Sequence, residues 1–183
     1  MSAIHIHADQ SAELLGSSTD FNEIQQILSG IGVRFERWEA DREIVPGMAS
    51  EEILEAYRKE IERLKNEEGY VTVDVISLQP DHPDREALRQ KFLSEHTHSE
   101  DEVRFFVDGE GMFYLHVEDK VYQVHCCKND LISVPANTTH WFDMGPAPRF
   151  TALRLFNNPE GWVANFTGSD IADRHPRFEP TTT

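Results

Sequence analysis

From Val103 to Phe156 the chain breaks into short apolar or aromatic runs parted by turn residues, and nothing else limits its fold as strongly. The runs are Val103–Val107, Met112–Val117, Val121–Cys126, Leu131–Val134 and Phe150–Phe156. Asp108-Gly109, Glu118-Asp119-Lys120, Lys128-Asn129-Asp130 and Gly145-Pro146 separate them. Runs this closely spaced leave no room for crossover helices, so they predict a β-sandwich or barrel rather than βαβ units. Asp108-Gly109 is expected to close a hairpin.

Upstream the texture is mixed. Asp20 with Glu23 has the form of a capping box, and Phe21, Ile24 and Ile27-Leu28 form a helical stripe that stops at Gly30. Val33 to Trp38 reads as a short strand. Ser50 is the expected N-cap of a helix to about Asn66, whose apolar face is Ile53, Tyr57, Ile61 and Leu64 and whose charged face is solvated. Tyr70 to Leu78 reads as a strand and Asp81 to Leu93 as a helix with Pro83 in its first turn. The expected organisation is one mainly β domain: residues 1–95 as helices and strands packed on a barrel, 96–166 as its core, and a polar, loose tail over 167–183.

Composition excludes several classes. With 33 Asp plus Glu against 17 Lys plus Arg, the chain carries −16, which argues against nucleic acid or an anionic membrane as a partner. At 39% hydrophobic it is too apolar for an acidic disordered chain. The start, Met-Ser-Ala-Ile-His-Ile-His, has neither a basic patch nor an apolar segment, and no run reaches the ~20 apolar residues of a membrane span. Cys126 and Cys127 are adjacent, which rarely suits a disulfide, and lack Cys-x-x-Cys spacing; they read as reduced thiols in a cytoplasmic protein. His5-Ile6-His7 is taken as a chance pair among nine histidines, and His116 and His125 as structural.

The segment that carries chemistry is His96-Thr97-His98-Ser99-Glu100-Asp101-Glu102, with His140 after the turn Pro135-Ala136-Asn137-Thr138-Thr139. Residues two apart share a strand face, so extension would aim His96, His98 and Glu102 the same way. Imidazole with carboxylate is a ligand set for non-haem iron and related divalent ions. Arg104 shares the parity of Glu102, and a buried arginine needs a negative partner. Two readings stand: an anionic substrate held by the planar fork, or an internal salt bridge to Glu102 or Asp101. Arg154, on the Phe150–Phe156 run, is a second cation candidate. Phe92, Phe142, Phe156 and Trp162 are candidate pocket walls, each equally able to be ordinary core. Glu95 and Asp101 flank the ligands with the opposite parity, either orienting them and assisting metal entry or standing as solvated acids.

These residues give the chain a resemblance to the cupin superfamily and its jelly-roll β-barrel. His96, His98, Glu102 and Gly109 match the first motif, and Pro135 and His140 the second. Asn129 and Asn137 stand where that family often has glycine, and asparagine tolerates the positive φ required there. Gln90 and Met144 depart from the pattern. Within the superfamily the chain is similar to the acireductone dioxygenases, through KFLSEHTHSEDEVRFFVDGEG (Lys91 to Gly111), VPANTTHWF (Val134 to Phe142), Phe156-Asn157 and Gly161-Trp162. Glu95, Asp101 and Arg104 fall at their expected places around the ligands. The resemblance implies an Fe(II) or Ni(II) enzyme of methionine salvage, acting on 1,2-dihydroxy-3-keto-5-methylthiopentene and dioxygen, without an organic cofactor. A monomer is expected from the acidic surface and the N-terminal helices. The competing readings are another metal cupin, such as a quercetinase-like dioxygenase or an isomerase, and a non-enzymatic metal- or ligand-binding cupin.

Overall fold

The structure is a computed structural model that describes residues 1–179. Its strands are β1 (Ala3–Ala8), β2 (Leu14–Ser18), β3 (Arg34–Arg37), β4 (Thr72–Leu78), β5 (His96–Thr97), β6 (Glu102–Val117), β7 (Lys120–Cys127), β8 (Asp130–Val134), β9 (Thr139–Asp143), β10 (Phe150–Phe156) and β11 (Asn165–Phe166). The helices are α1 (Phe21–Ser29), α2 (Ser50–Ala56), α3 (Arg58–Glu68) and α4 (Arg85–Phe92). All pairings are antiparallel, in the orders β11-β5-β9-β6-β7-β1-β2 and β4-β10-β6-β8-β3. The two layers close face to face as a jelly-roll barrel, as the spacing of apolar runs requires.

The 16-residue strand β6 belongs to both layers. Its first half pairs with β8 and β10, its second with β7 and β9. The expected hairpin at Asp108-Gly109 is therefore absent, and the chain bends there without reversing. Thr151 opposes Asp108 while Ala152 opposes Phe106, leaving Val107 as an extra residue, and Gly109 sits at φ +78°. A Cβ on Gly109 would stand 1.9 Å from the Arg149 carbonyl oxygen, so only glycine allows this approach. A one-residue slip inverts the faces of everything that follows. Hence Glu102, Arg104 and Phe106 face the barrel interior, and after the bend Phe113 and Leu115 do.

The interior is packed by Phe106, Phe113, Phe142, Phe150, Ile132 and Val134. On one outer face, α2 and α3 lay Ile53, Tyr57, Ile61 and Leu64 over Val103, Phe105, Leu153 and Leu155. The single helix expected from Ser50 breaks at Tyr57 (φ −111°, ψ 11°), whose buried ring meets Phe105 edge-on at 4.8 Å. Ala49, not Ser50, is the N-cap, and the Glu52 carboxylate accepts its N–H. Asp20 does cap α1, accepting the Glu23 N–H at 3.0 Å. Asn129 (φ 79°) and Asn137 (φ 65°) take the left-handed turns expected of them. No helix among the described residues is long and apolar enough to cross a membrane.

Packing extends the sequence reading at one end of the chain and corrects it at the other. Residues 3–18, to which the sequence reading assigns no element, form β1 and β2, and β1 hydrogen-bonds along β7. The tail expected to run loose from 167 instead places Ile171, Ala172 and Phe178 in a cluster with Met112, Tyr114, Val121 and Trp141 on the second outer face. A stretch with few apolar residues can still be held when those few meet a waiting apolar sheet face; residues 180–183 lie outside the described ones. Truncating Phe178, 4% exposed, to alanine is expected to lower stability by ~3 kcal/mol in urea unfolding. A loose tail would give less than ~0.5 kcal/mol.

Candidate metal centre

His96 on β5 pairs with His140 on β9, and β9 lies against the second half of β6. Glu102 opens β6, and His98 lies in the bend just before it. These four residues, all buried, each offer a ligand atom within 4.8 Å of one another. Ring centroids stand 4.7 Å apart for His96–His140, 4.9 Å for His96–His98 and 5.2 Å for His98–His140. His96, His98 and Glu102 converge as expected, but residues 98–101 are not extended, so the connecting loop and not strand parity brings Glu102 to the imidazoles.

Ring orientation follows from backbone carbonyls. Nδ1 of His96 donates to Ser94 O (2.7 Å), of His98 to Val163 O (3.2 Å) and of His140 to Thr138 O (2.8 Å). A proton on Nδ1 leaves the lone pair on Nε2, the nitrogen a metal takes. His140 Nε2 then lies 2.7 Å, and His98 Nε2 3.4 Å, from Glu102 Oε2. Acceptors this close to a carboxylate require a cation between them, a proton or a metal ion. Burial pushes the Glu102 carboxyl up, but the hydrogen bonds from His140 and His98 and the Arg104 charge outweigh it and hold it well below the usual range. Burial pulls His140 down, and Glu102 more than reverses that. His96 is pushed down to about 4, chiefly by burial and then by His140, so it stays neutral. The donor set fits a divalent ion.

Above His98 and Glu102 opens a cavity of ≈ 500 Å³. Arg104, Arg154 and Lys91 line it with positive charge, and Phe92, Met144, Phe150, Trp162 and Ile76 with apolar surface. Arg104 and Arg154 face each other directly across β6 and β10, a like-charge pairing that costs stability unless anions offset it. Glu102 takes one Arg104 Nη2 at 3.1 Å, so the internal salt bridge weighed from sequence is present, and Asp74 takes Arg154 Nε at 2.8 Å. Arg104 Nε and Trp162 Nε1, both buried, have no partner among the described residues. The cavity therefore combines donors and cations above the four ligands, a setting for an anionic oxygen ligand.

Two expected wall residues lie behind the wall. Phe142 sits beneath Arg104, its ring centroid 4.9 Å from the guanidinium carbon. Phe156 meets Trp162 edge-on at 5.9 Å and supports it. Lys91, Ile76, Met144 and Phe150 line the cavity and were missed; Lys91 stood inside the segment that carried the resemblance, and Met144 was noted only as a departure from it. A Cβ on Gly161 would come within 2.4 Å of the Glu100 side chain, so glycine there lets the Trp162 segment approach the ligand loop.

Glu95 is not a solvated acid. It is buried, 2.5 Å from His116 Nδ1, accepts from Thr167 Oγ1 at 2.9 Å, and points away from the ligands as its parity requires. His116 in turn reaches Asp9. Asp101 accepts the Tyr70 hydroxyl (2.7 Å) and the Ala136 N–H (2.9 Å), and the Asn137 N–H donates to His98 O at 2.8 Å. Burial, then the Asp101 charge, push the Tyr70 phenol up, so it remains a donor. Asp101 thus ties the His96–Glu102 segment to the turn that delivers His140.

A two-layer antiparallel barrel with three imidazoles and a carboxylate gathered inside it defines a cupin of the metal-dependent class. Within that class the comparisons agree. The model of the ARD/ARD′ family matches residues 3–164, and the chain belongs to that family. It is 61% identical to the acireductone dioxygenase of Cronobacter sakazakii over 179 residues (97% of this chain, 99% of the relative). It is 60% identical to that of Yersinia pseudotuberculosis over the same shares. Among solved structures, the acireductone dioxygenase of Bacillus anthracis, with a cadmium ion in its active center, superposes with a TM-score of 0.79 at 31% identity, covering 91% of this chain and 98% of the other.

Asp101→Ala strips an acceptor from two donors, one a backbone N–H, and is expected to lower stability by ~1–3 kcal/mol in urea unfolding. Tyr70→Phe removes only one donor and should cost about 1 kcal/mol or less by the same measurement.

Proposed function

We propose that the chain is an acireductone dioxygenase of methionine salvage in which His96, His98, Glu102 and His140 hold one iron or nickel ion. The observation that carries this reading is the convergence of those four side chains directly below a cavity lined by Arg104 and Arg154. The substrate is 1,2-dihydroxy-3-keto-5-methylthiopentene. Cleavage by dioxygen yields formate and 4-methylthio-2-oxobutanoate with iron, or formate, carbon monoxide and 3-methylthiopropanoate with nickel. A divalent ion in this site supplies Lewis acidity and the coordination positions that four protein ligands leave over.

The remaining work falls to the chain itself. Arg104 presents a permanently charged planar fork whose Nε has no partner among the described residues, suited to an enediolate oxygen. Arg154, directly across the strand pair, adds a second positive charge. Phe92 and Trp162 give the methylthio tail the aromatic surface that sulfur favours. Phe142 and Phe156 act from behind, fixing Arg104 and Trp162. Glu95 and Asp101 position the ligand-bearing segments and do not touch substrate. The enzyme works as a cytoplasmic monomer with no organic cofactor, in one domain whose metal-binding segments lie within 96–166.

Oxygen uptake with synthetic acireductone tests the reading directly. Protein reconstituted separately with iron and with nickel is expected to turn over and to give the two different product sets; identical products, or no turnover with either, count against it. His96→Ala, His98→Ala and His140→Ala should each abolish metal content. Arg104→Ala should keep the ion and lose turnover by ~10²–10³-fold. If it loses the ion as well, Arg104 is structural.

A further inference from the structure

Outside the barrel, β6 and β7 bring three further ligand-type side chains together. Glu110 and Cys127 are directly opposed across the pair, and His125 is the next residue on the same face. That face is the outer one, because the alternating residues Val124 and Cys126 are packed in the barrel interior. His125 Nε2 lies 2.8 Å from Glu110 Oε2 and 3.7 Å from Cys127 Sγ, so a carboxylate and a sulfur converge on one imidazole nitrogen. All three offer ligand atoms within 4.8 Å of one another and are only half-buried.

The framework around them is built. The Cys127 N–H donates to the fully buried Asp130 at 2.9 Å, and the Glu110 N–H to Arg149 O at 3.2 Å. The His125 ring is packed against Phe178, centroids 5.2 Å apart. We propose that Glu110, His125 and Cys127 form a second site, on the outer face of the barrel, for a thiophilic divalent cation of the zinc class. Zinc bonds of ~2.0–2.3 Å in a tetrahedron place neighbouring ligand atoms about 3.4–3.6 Å apart. The nitrogen–sulfur distance is already near that, and the carboxylate need withdraw only by about half an ångström. A thiolate and a carboxylate together supply two negative charges, matching the ion, with neutral imidazole as the third ligand. Mixed sulfur and nitrogen donors favour zinc or cobalt over the magnesium and calcium that prefer oxygen. The Met1 ammonium, which hydrogen-bonds Cys127, is displaced as the ion enters, and the fourth position falls to water.

Cobalt(II) makes the site visible, because thiolate-to-cobalt charge transfer absorbs in the near ultraviolet and no ligand of the His96 centre is a thiolate. Co²⁺ is added to the protein as purified with its resident metal. The band is expected to grow to saturation at about one added ion per chain and to be displaced by Zn²⁺. Cys127→Ser and His125→Gln should fold as the wild type by circular dichroism, with the band lost in the first and its saturation point shifted to at least ~10-fold higher cobalt in the second. No band in the wild type, or a band that survives Cys127→Ser, overturns the site. Since the readout is spectroscopic, it stands whether or not the chain turns over acireductone.

Discussion

A single buried carboxylate organises the interior. Glu102 is 5% exposed, and an ionised carboxylate removed from water costs several kcal/mol unless its oxygens are engaged. Its partners come from separate parts of the chain: His98 from the bend before β6, Arg104 from two residues on, and His140 from β9. The charge of Glu102 therefore reaches from one barrel layer to the other. Each partner is held by something else, the histidines by backbone carbonyls and Arg104 by the rings of Phe142 and Phe113. Positive charge among the ligands satisfies the carboxylate, which is the physical reason the centre suits a divalent ion.

Polarity inside the barrel falls toward the bend in β6. Far from the bend the inward positions are Glu102 and Arg104 on one arm and Leu115, opposite His140, on the other; next to the bend they are Phe106 and Phe113. One end of the barrel is thereby charged and the other filled with aromatic rings. The filled end supplies a low-polarity surround for the centre and the rigid backing for Arg104, while the charged end opens to the cavity.

A chain of −16 that handles an anion needs local positive charge. Arg104, Arg154 and Lys91 supply it at the cavity, at distances where Coulomb interaction in a partly dry site outweighs the screened field of distant surface acids. The same far field concentrates cations, which favours loading of the centre and of a half-exposed sulfur-bearing site. The acidic surface also interlocks structure: Arg34 and Arg63 bridge Glu36, Glu60, Glu67 and Glu68, tying α3 to β3.

Much of this is legible in the sequence. Periodicity marked α1, the α2–α3 face, β4 and every strand from β7 onward except the short β9 and β11, because those patterns depend on neighbours two to four residues away. The spacing of His96, His98 and Glu102 and the distant His140 specified donors of the right chemistry. What stayed hidden was non-local. β1 carries only a four-residue Ile-His alternation and β2 none, and both are fixed by the edge that β7 offers for pairing. The hairpin expected at Asp108-Gly109 became a bend because strands on both sides compete for β6. Phe142 and Phe156 are supports rather than walls and Phe150 joins the lining through strand register, while Lys91 on α4 and Met144 after β9 reach it through helix and loop packing. Sequence by itself determined the strand-rich class and the four candidate donors, since both are written in local spacing and side-chain chemistry. Only the tertiary structure decided which side chains face one another, because that depends on hydrogen-bond register between segments far apart in the chain, and a single bulge reverses it.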